Sequence, residues 1–384
     1  MGFGFTEEQE RFRTKVRDFF KQKIEPQAKG IGENTIFPRD IWRQIGEFGL
    51  LGVNLPAKYG GQPGDNVMRG IVAEELGRVD LSLAFTLVPS YGTSLAILNG
   101  GSERQILEWV PDLIKGEKLG SISMTEPDCG SDLSLMRTEA RKRGDYYVLN
   151  GEKSYVSWGL QADVNWLFAK TERDVNPWDM TCFLIPLDLP GIVKSSFSEM
   201  GLRPVGHTSL LLENVRVPVE FRMGEEGRAL ADAAKVFCQT RMILSLSALG
   251  LAQISLEETI DFAKQRFAFS KPLGKFEAIS FKIAEHATLL EAARWLCYRT
   301  LGLMEQGVRC VKQIAMCKWW STEVAFRTIY DSLLLHGHRG YGSDYPLEQR
   351  LRDIIGYEIA EATPQVVKLA ICEEIFGKEF RPFC

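Results

Sequence analysis

Hydrophobic residues in the first third of the chain recur at three- and four-residue intervals, the spacing of one helix face. Phe12 and Val16 follow this spacing, and the preceding pair Thr6 and Gln9 has the pattern of a capping box at a helix start. The pattern predicts an N-terminal α-helical domain over residues 1–118. Further helices are expected in this domain from about Pro38 and over residues 67–77 and 103–114.

The hydrophobic period shortens between residues 119 and 223, where short β-favouring runs alternate with Gly, Asn and Pro. Repeated short strands separated by turn residues are typical of a small barrel or a sandwich, and we interpret this region as a middle β-barrel domain. The runs that carry the prediction are residues 146–149, 155–157, 164–168, 181–185 and 210–212.

Helical spacing returns over residues 224–384, where Met242, Leu246 and Leu249 are part of a long amphipathic segment. This region is predicted to form a C-terminal four-helix bundle. The chain is therefore expected to be an α+β multidomain protein with helices first, then strands, then helices. That order differs from βαβ alternation, and no G-x-G-x-x-G follows a strand, so a nicotinamide-binding Rossmann domain is disfavoured.

Composition and charge exclude several classes of partner. The 46 basic and 50 acidic residues give a net charge of −4, so we expect no nucleic acid partner. The eight cysteines form no C-x-x-C pair, and neither a metal site nor a disulfide framework is expected. Polar residues, Gly and Pro interrupt the apolar stretch 81–97, so no membrane span is expected. The first residues do not resemble a targeting segment, which favours a cytoplasmic protein.

A candidate binding segment lies at the transition from helices to strands and reads MTEPDCGSDL over residues 124–133. Its Gly, Ser and Thr residues offer backbone N–H groups that suit an anion or the edge of a polar ring, although a simple turn is the commoner role of such a sequence. The segment resembles T-E-P-x-x-G-S-D, the signature of the acyl-CoA dehydrogenase family at the entry to its β domain.

Three further segments carry the same resemblance in the order found in that family. Residues 150–159, NGEKSYVSWG, resemble a hairpin that places an aromatic residue and a hydroxyl against a flavin ring. Residues 266–273, RFAFSKPL, resemble a motif that reaches the FAD of a neighbouring subunit. Residues 340–365 resemble the segment that carries the catalytic glutamate, including its G-Y-x-x-x-Y-P-x-E and R-D motifs. The resemblance covers nearly the whole chain.

The resemblance implies that Glu361 is the catalytic base. Thr363 and Pro364 have the pattern of a helix N-cap and first residue, so the helix dipole lowers the pKa of Glu361 whereas an apolar pocket raises it. Thr240 stands where some family members carry the base, and a threonine cannot serve as one. The implied substrate-binding residues are Ser131, Arg241 and Ala362. The implied FAD-binding residues are Met124, Thr125, Gly130, Ser131, Tyr155, Val156, Ser157, Arg266, Phe269, Glu277, Gly337, Thr363 and Gln365.

The sequence departs from the family pattern at several of these positions. Glu277 stands where a glutamine is usual, and a carboxylate close to a pyrophosphate is unfavourable, so its role is left open. Ala362 replaces the glycine that follows the base, and its methyl group is expected to alter how the acyl group enters. His338 occupies a glycine position, and whether His336 or His338 contacts the flavin is also left open.

The resemblance implies FAD-dependent α,β-dehydrogenation of an acyl-CoA thioester, with electrons passed to an electron-transfer flavoprotein, and assembly as a homotetramer or homodimer. No Arg or Lys occurs between Leu81 and Gly101, where dicarboxyl-CoA enzymes of the family place a cation. A short, branched or cyclic uncharged acyl group is therefore expected. Three alternatives remain: a dehydrogenase of acyl-carrier-protein thioesters in a biosynthetic pathway, an oxidase or flavin monooxygenase of this fold, and a non-catalytic protein that keeps the fold.

Overall fold

The structure, a computed structural model, describes residues 4–28, 30–33, 36–172 and 176–380. The chain forms helices, then strands, then helices again, as the hydrophobic pattern predicts. The helices of the N-terminal region are α1 (Glu7–Phe19), α2 (Glu25–Ala28), α3 (Arg39–Glu47), α4 (Asn66–Gly77), α5 (Leu81–Gly100) and α6 (Glu103–Lys115).

The start of α1 confirms the predicted capping box. The hydroxyl of Thr6 accepts a hydrogen bond from the backbone N–H of Gln9 (3.2 Å), and the Gln9 side chain accepts one from the N–H of Thr6 (2.9 Å). In contrast, α5 is a helix that the periodicity does not predict. Its residues are buried on nearly every side, so the sequence lacks the polar face that marks an amphipathic helix, and Pro89 lies inside it.

The middle region consists of two four-stranded sheets. The first has the order β1-β4-β5-β8, with β1 parallel to β4, and the second is antiparallel with the order β2-β3-β7-β6. Side chains from both sheets form a separate core between them, including Tyr147, Leu149, Leu167, Phe183 and Leu212. The strands are β1 (Gly120–Ser123), β2 (Glu139–Arg143), β3 (Tyr146–Val156), β4 (Val164–Ala169), β5 (Thr181–Pro186), β6 (Ile192–Ser196), β7 (Thr208–Pro218) and β8 (Arg222–Met223).

The predicted strand runs lie in β3, β4, β5 and β7, and only Ser157 falls just beyond the end of its strand. The two sheets join at one corner through a bridge between Glu139 and Lys170. The middle region therefore packs as two facing sheets, which is the sandwich form of the barrel-or-sandwich prediction. β4 is buried at every position because one of its faces lies in the core between the sheets and the other packs against the helical regions.

The C-terminal region is helical and is built around the long helices α7, α8 and α9, against which α11 and α12 pack. A short hairpin of β9 (Phe267–Ala268) and β10 (Lys271–Pro272) joins α7 to α8. The helices are α7 (Ala229–Gln265), α8 (Glu277–Glu305), α9 (Val311–His336), α10 (His338–Tyr341), α11 (Leu347–Ile359) and α12 (Pro364–Phe376).

Two helices, α5 and α7, are long and apolar enough to cross a membrane by length and composition alone. Most of the apolar stretch in each is buried inside the protein, where α5 packs against α7. Core helices commonly have this composition, so these helices are weak evidence for a membrane span.

A buried pair of carboxylates, Asp80 and Asp353, lies where the three regions meet. Asp80 caps α5 by accepting from the N–H of Leu83 (2.9 Å), and Asp353 accepts from the N–H of Leu202 in the middle region (2.6 Å). The amide of Gln349 lies 3.3 Å from both carboxylates. Burial and the nearby charge of Asp80 raise the pKa of Asp353 to about 7, and burial also raises the pKa of Asp80. The pair therefore shares a proton near neutral pH.

We expect the substitution Asp353→Asn to stabilise the protein at pH 8 by about 1–3 kcal/mol and to change its stability little at pH 5. A carboxyl group whose pKa is raised by folding stabilises fully below its ordinary value of 3.8 and loses that contribution as the pH rises through about 7. The amide oxygen of asparagine can still accept from Leu202. Thermal unfolding at the two pH values measures the effect, and equal destabilisation at both would contradict it.

Candidate active site

A buried ion pair joins the first two cofactor-binding segments predicted from the sequence. The ammonium of Lys153 lies 2.8 Å from Oε1 of Glu126 and 3.3 Å from the carbonyl oxygen of Met124. One residue further along β3, the N–H of Ser154 donates to the carbonyl oxygen of Thr125 (2.9 Å). These contacts place the two segments side by side, although they are separate in the sequence.

Glu126 is held as a carboxylate inside the protein. Besides the ammonium of Lys153, its oxygens accept hydrogen bonds from the N–H groups of Arg137 (2.7 Å) and Thr138 (2.9 Å). Burial alone raises the pKa of this carboxyl group, but the charge and hydrogen bond of Lys153 outweigh burial and the pKa lies below its ordinary value. The sequence motifs contain both residues, but only the structure shows that they bind each other.

A β-bulge in β3 presents the predicted flavin-stacking residue, Tyr155. The register of β3 against β7 shifts between Lys153 and Val156, and Tyr155 has a φ of 55°, in the left-handed region. The bulge turns the ring out of the core, so that Tyr155 is 59% exposed and stacks on Phe197 with 4.6 Å between ring centroids. Much of the Tyr155 ring therefore remains open to a planar ligand.

The other predicted residues of these two segments also offer accessible groups. Ser157 follows the bulge and is half-buried, whereas Gly130 and Ser131 are exposed in the turn after Glu126. Val156 points into the core. Hydroxyl and backbone N–H groups beside an exposed aromatic ring are the groups that a polar planar ring system binds.

Glu361 lies in the turn between α11 and α12, and this turn packs against α7. The carboxylate of Glu361 accepts a hydrogen bond from the hydroxyl of Thr240 (2.9 Å), and its carbonyl oxygen accepts one from Nε of Arg241 (3.2 Å). Thr363 caps α12 and Pro364 is its first residue, as predicted. The structure thus brings Glu361 together with two residues that lie about 120 positions earlier.

The pKa of Glu361 is raised because the carboxyl group is withdrawn from water. The charge of Arg241, the hydrogen bond from Thr240 and the charge of Lys318 all act against this rise without cancelling it. Burial therefore prevails over the opposing effects that the sequence left in balance. A carboxylate with a raised pKa accepts a proton from carbon more readily than an ordinary one.

Lys318 is a positioning residue that the sequence analysis does not identify. Its side chain is fully buried in α9, and its ammonium donates to the carbonyl oxygens of Glu358 (2.8 Å) and Ala362 (2.6 Å). Burial lowers the pKa of Lys318 to about 8. The two bonds hold the turn on both sides of Glu361.

The turn itself adopts a conformation that non-glycine residues rarely accept. Glu361 and Ala362 have φ values of 58° and 83°, two consecutive left-handed residues. The departure at Ala362 therefore has a backbone consequence in addition to its methyl group, since glycine takes this conformation without strain. The hydrogen bonds from Lys318 and Arg241 act against this strain.

We expect the substitution Thr240→Val to move the acidic limb of the kcat/KM profile to higher pH and to lower kcat/KM several-fold at pH 6. Valine keeps the branched shape but removes the hydroxyl that stabilises the charged form of Glu361, so the pKa of the base rises further. The substitution Thr240→Ser keeps the donor and is the matched control. Superimposable profiles for the valine and serine variants would contradict the role of this hydrogen bond.

Arg266 and Phe269 do not lie with the other predicted site residues of the same chain. Arg266 ends α7 and Arg241 lies in its first half, which separates their Cα atoms by roughly 38 Å of helix. Both Arg266 and Phe269 are exposed, Phe269 by 91%. An arginine side chain cannot span this distance, so these two residues do not reach the Glu361 site within one chain.

Glu277 and the residues after α9 are explained by local structure. Glu277 is the exposed first residue of α8, where a negative charge interacts favourably with the helix dipole. His336 is buried, stacks on Phe262 with 4.2 Å between centroids and bonds the carbonyl oxygen of Ser332, so it is a packing residue. Gly337 is exposed and ends α9 with a φ of 61°.

These groups suit the binding of FAD. The open ring of Tyr155, the exposed hydroxyl of Ser131 and the N-terminus of α12 with Thr363 and Gln365 provide stacking and hydrogen-bonding partners of the kinds that a flavin needs. Within the ranges that the structure describes, no cluster of three His, Cys, Asp or Glu side chains is placed to bind a metal.

Comparison with known protein families identifies all three regions. The description "Acyl-CoA dehydrogenase, N-terminal domain" matches residues 6–117, the middle domain of the same family matches residues 121–215, and its C-terminal domain matches residues 227–376. Together the three matches cover most of the chain.

Individual relatives extend over nearly the full length. The chain is 34% identical to an acyl-CoA dehydrogenase of Bacillus subtilis, over 97% of this chain and 99% of that protein. It is 31% identical to the caffeyl-CoA reductase-Etf complex subunit CarC of Acetobacterium woodii, over 97% and 100%. Among solved structures, a glutaryl-CoA dehydrogenase of Mycobacterium smegmatis in complex with FADH2 superposes with a TM-score of 0.93 at 27% identity, over 99% of this chain and 97% of that one.

Proposed function

The chain belongs to the acyl-CoA dehydrogenase family and is an FAD-dependent oxidoreductase acting on CH–CH groups, and from this premise we propose that it removes one hydrogen from each of the α- and β-carbons of an acyl-CoA thioester, with Glu361 as the base. The observation that carries this proposal is the burial of the Glu361 carboxylate against Thr240 and Arg241. A base of this kind is what the weakly acidic α-proton of a thioester requires.

The residues around Glu361 have separate tasks in this proposal. Glu361 takes the α-proton, Thr240 orients its carboxylate, and Lys318 fixes the turn. The backbone N–H of Glu361 donates to no acceptor among the described residues, so it is available to the thioester carbonyl oxygen, where charge develops as the proton leaves. FAD, when bound, supplies the acceptor for the hydride from the β-carbon.

We propose that the active protein is a homo-oligomer, a homotetramer or homodimer. Arg266 and Phe269 are exposed and lie far from Glu361 of their own chain, which supports a role at the cofactor of a neighbouring copy. A guanidinium is the side chain best suited to a pyrophosphate. The electron acceptor is proposed to be an electron-transfer flavoprotein, because a full-length relative is named as a subunit of a complex with Etf.

The expectation of an uncharged acyl group rests on the absence of Arg and Lys between Leu81 and Gly101. Helix α5 contains this segment, but α4 packs against the same helix and brings Arg69 to it. The proposal therefore leaves the distal end of the acyl group to the contacts of Arg69.

Anaerobic titration of the FAD-loaded protein with acyl-CoA thioesters of different chain type tests the proposed function. We expect at least one thioester to bleach the flavin absorbance in a stoichiometric reaction and to yield the 2-enoyl thioester. If only pantetheine-carrier thioesters bleach the flavin, the substrate is a carrier protein instead. If none does, the protein is not a thioester dehydrogenase.

A further inference from the structure

A buried arginine, Arg69, lies between α4, α5 and α7 without a carboxylate partner. It is only 5% exposed. Its guanidinium donates to the hydroxyl of Tyr91 (2.8 Å) and to the side-chain oxygen of Gln239, and it lies 4.9 Å from the centroid of the Tyr91 ring. Each of these partners is neutral, and no Asp or Glu in the described part of the chain forms an ion pair with Arg69.

Other buried or half-buried cations of the same helices are neutralised by acids. Arg78, also at the end of α4, pairs with Glu257 at 2.6 Å, and Arg294 of α8 pairs with Glu74 at 2.8 Å. Withdrawing an arginine from water costs several kcal/mol unless an opposite charge is placed beside it. The exception at Arg69 therefore indicates a place where an anion is expected to come from outside the chain.

The environment of Arg69 adjoins that of the catalytic base. Gln239, which accepts from Arg69, immediately precedes Thr240, whose hydroxyl binds Glu361. On the opposite helix, Gly92 follows Tyr91, and a Cβ atom at Gly92 would lie 3.3 Å from Cγ2 of Thr240. The two consecutive residues of α7 thus point one to the cation and the other to the base.

Arg69 nevertheless lies beyond the reacting atoms. The groups that shift the pKa of Glu361 are Arg241, Thr240 and Lys318, and Arg69 is not among them. Consecutive helix residues diverge by about 100°, so the guanidinium and the carboxylate are separated by roughly 10 Å, estimated from helix geometry. An acyl chain of about five carbons covers this interval once hydrogen-bonding distances are allowed at both ends.

The polar groups at this position are arranged as donors. The Tyr91 hydroxyl accepts from Arg69, which leaves its own proton free, and the Gln239 side chain accepts through its oxygen, which leaves its NH₂ group free. Guanidinium, phenol and amide donors meeting at one point are complementary to a carboxylate, which has acceptor oxygens only.

We propose that Arg69, with Tyr91 and Gln239, binds a carboxylate at the distal end of the acyl group, so that the substrate is a short dicarboxyl-CoA thioester. This inference rests on the proposed function. It replaces the expectation of an uncharged acyl group, because that expectation considered only cations carried by residues 81–101 and Arg69 enters from α4.

The test compares two thioesters of equal chain length, glutaryl-CoA and pentanoyl-CoA, on the FAD-loaded Glu361→Gln protein, which does not consume them. Calorimetry is expected to give at least tenfold tighter binding of glutaryl-CoA, the value of a charged hydrogen bond in a buried site. In the double variant with Arg69→Met the ratio of the two affinities is expected to fall at least tenfold. Tyr91→Phe, which keeps the ring and loses the hydroxyl, lowers the same ratio less.

The outcomes separate this inference from the proposed function. Tighter binding of pentanoyl-CoA, or an affinity ratio that Arg69→Met leaves unchanged, would overturn the role of Arg69. If pentanoyl-CoA bleaches the flavin of the wild-type protein and glutaryl-CoA does not, the inference fails and the proposed function stands. If no CoA thioester binds or bleaches, the proposed function fails first and the inference with it.

Discussion

Replacing Glu361 with glutamine is expected to lower acyl-CoA turnover by about 10³- to 10⁴-fold, with FAD content and thermal midpoint close to those of the wild-type protein. The amide has the volume of the carboxylate and keeps an oxygen that accepts from Thr240, so the turn retains its contacts with α7 and α9. It cannot take a proton. Steady-state turnover and the ratio of flavin to protein absorbance measure the two parts of the expectation.

The matched control is Glu358→Gln, the same chemical change three residues earlier. The Glu358 side chain does not contact Thr240, and only its backbone carbonyl oxygen accepts from Lys318. Its turnover is expected to stay within a few-fold of wild type. Equal losses in the two variants, or more than a tenth of wild-type turnover in the Glu361 variant, would remove Glu361 from the role of base.

The second large effect is expected from Lys153→Met, which should destabilise the folded protein by about 3–5 kcal/mol and reduce its FAD content. The substitution leaves the Glu126 carboxylate buried without its counter-ion, and the backbone bonds from Arg137 and Thr138 remain as its only hydrogen bonds. Because the ion pair joins the two segments that carry Thr125 and Tyr155, its loss also loosens the proposed flavin site. Thermal unfolding and bound flavin after gel filtration measure both effects.

The double variant Lys153→Met with Glu126→Gln is the informative control. It removes both charges and keeps an oxygen for the two backbone donors, so part of the lost stability is expected to return. A single Lys153→Met variant with wild-type unfolding and full flavin content would show that the pair is dispensable. A double variant less stable than the single one would show that the effect does not arise from an unpaired charge.

The sequence predicts the fold where periodicity reports burial on one side only. Amphipathic segments such as α1 and α7 and the strand runs of the middle region show the spacing of their exposed and buried faces. Helix α5 is missed because it is buried almost all round and its composition carries no period. Whether the strands close into a barrel or face each other as two sheets depends on long-range pairing, such as that between Glu139 and Lys170, which has no local sequence signal.

The site is divided in the same way. Resemblance to a family supplies the positions of Glu361, Tyr155 and Arg266, because these lie in recognisable motifs. The positioning contacts are absent from any local pattern, since Lys318 meets Ala362 across 44 positions and Arg69 meets Gln239 across 170. A lysine or arginine in a helix sequence gives no indication that it is buried without an acid beside it; only packing shows this.

The most direct test of Glu361 as the base is exchange of the α-hydrogens with solvent. A 3-thia-acyl-CoA has sulfur at the β-position and no hydride to lose, so incubation of the FAD-loaded protein with it in D₂O isolates proton removal from the rest of the reaction. Mass spectrometry is expected to show deuterium at C2 with the wild-type and Glu358→Gln proteins, and at least about 10³-fold slower incorporation with Glu361→Gln. Exchange at the wild-type rate in the Glu361→Gln protein would contradict the account.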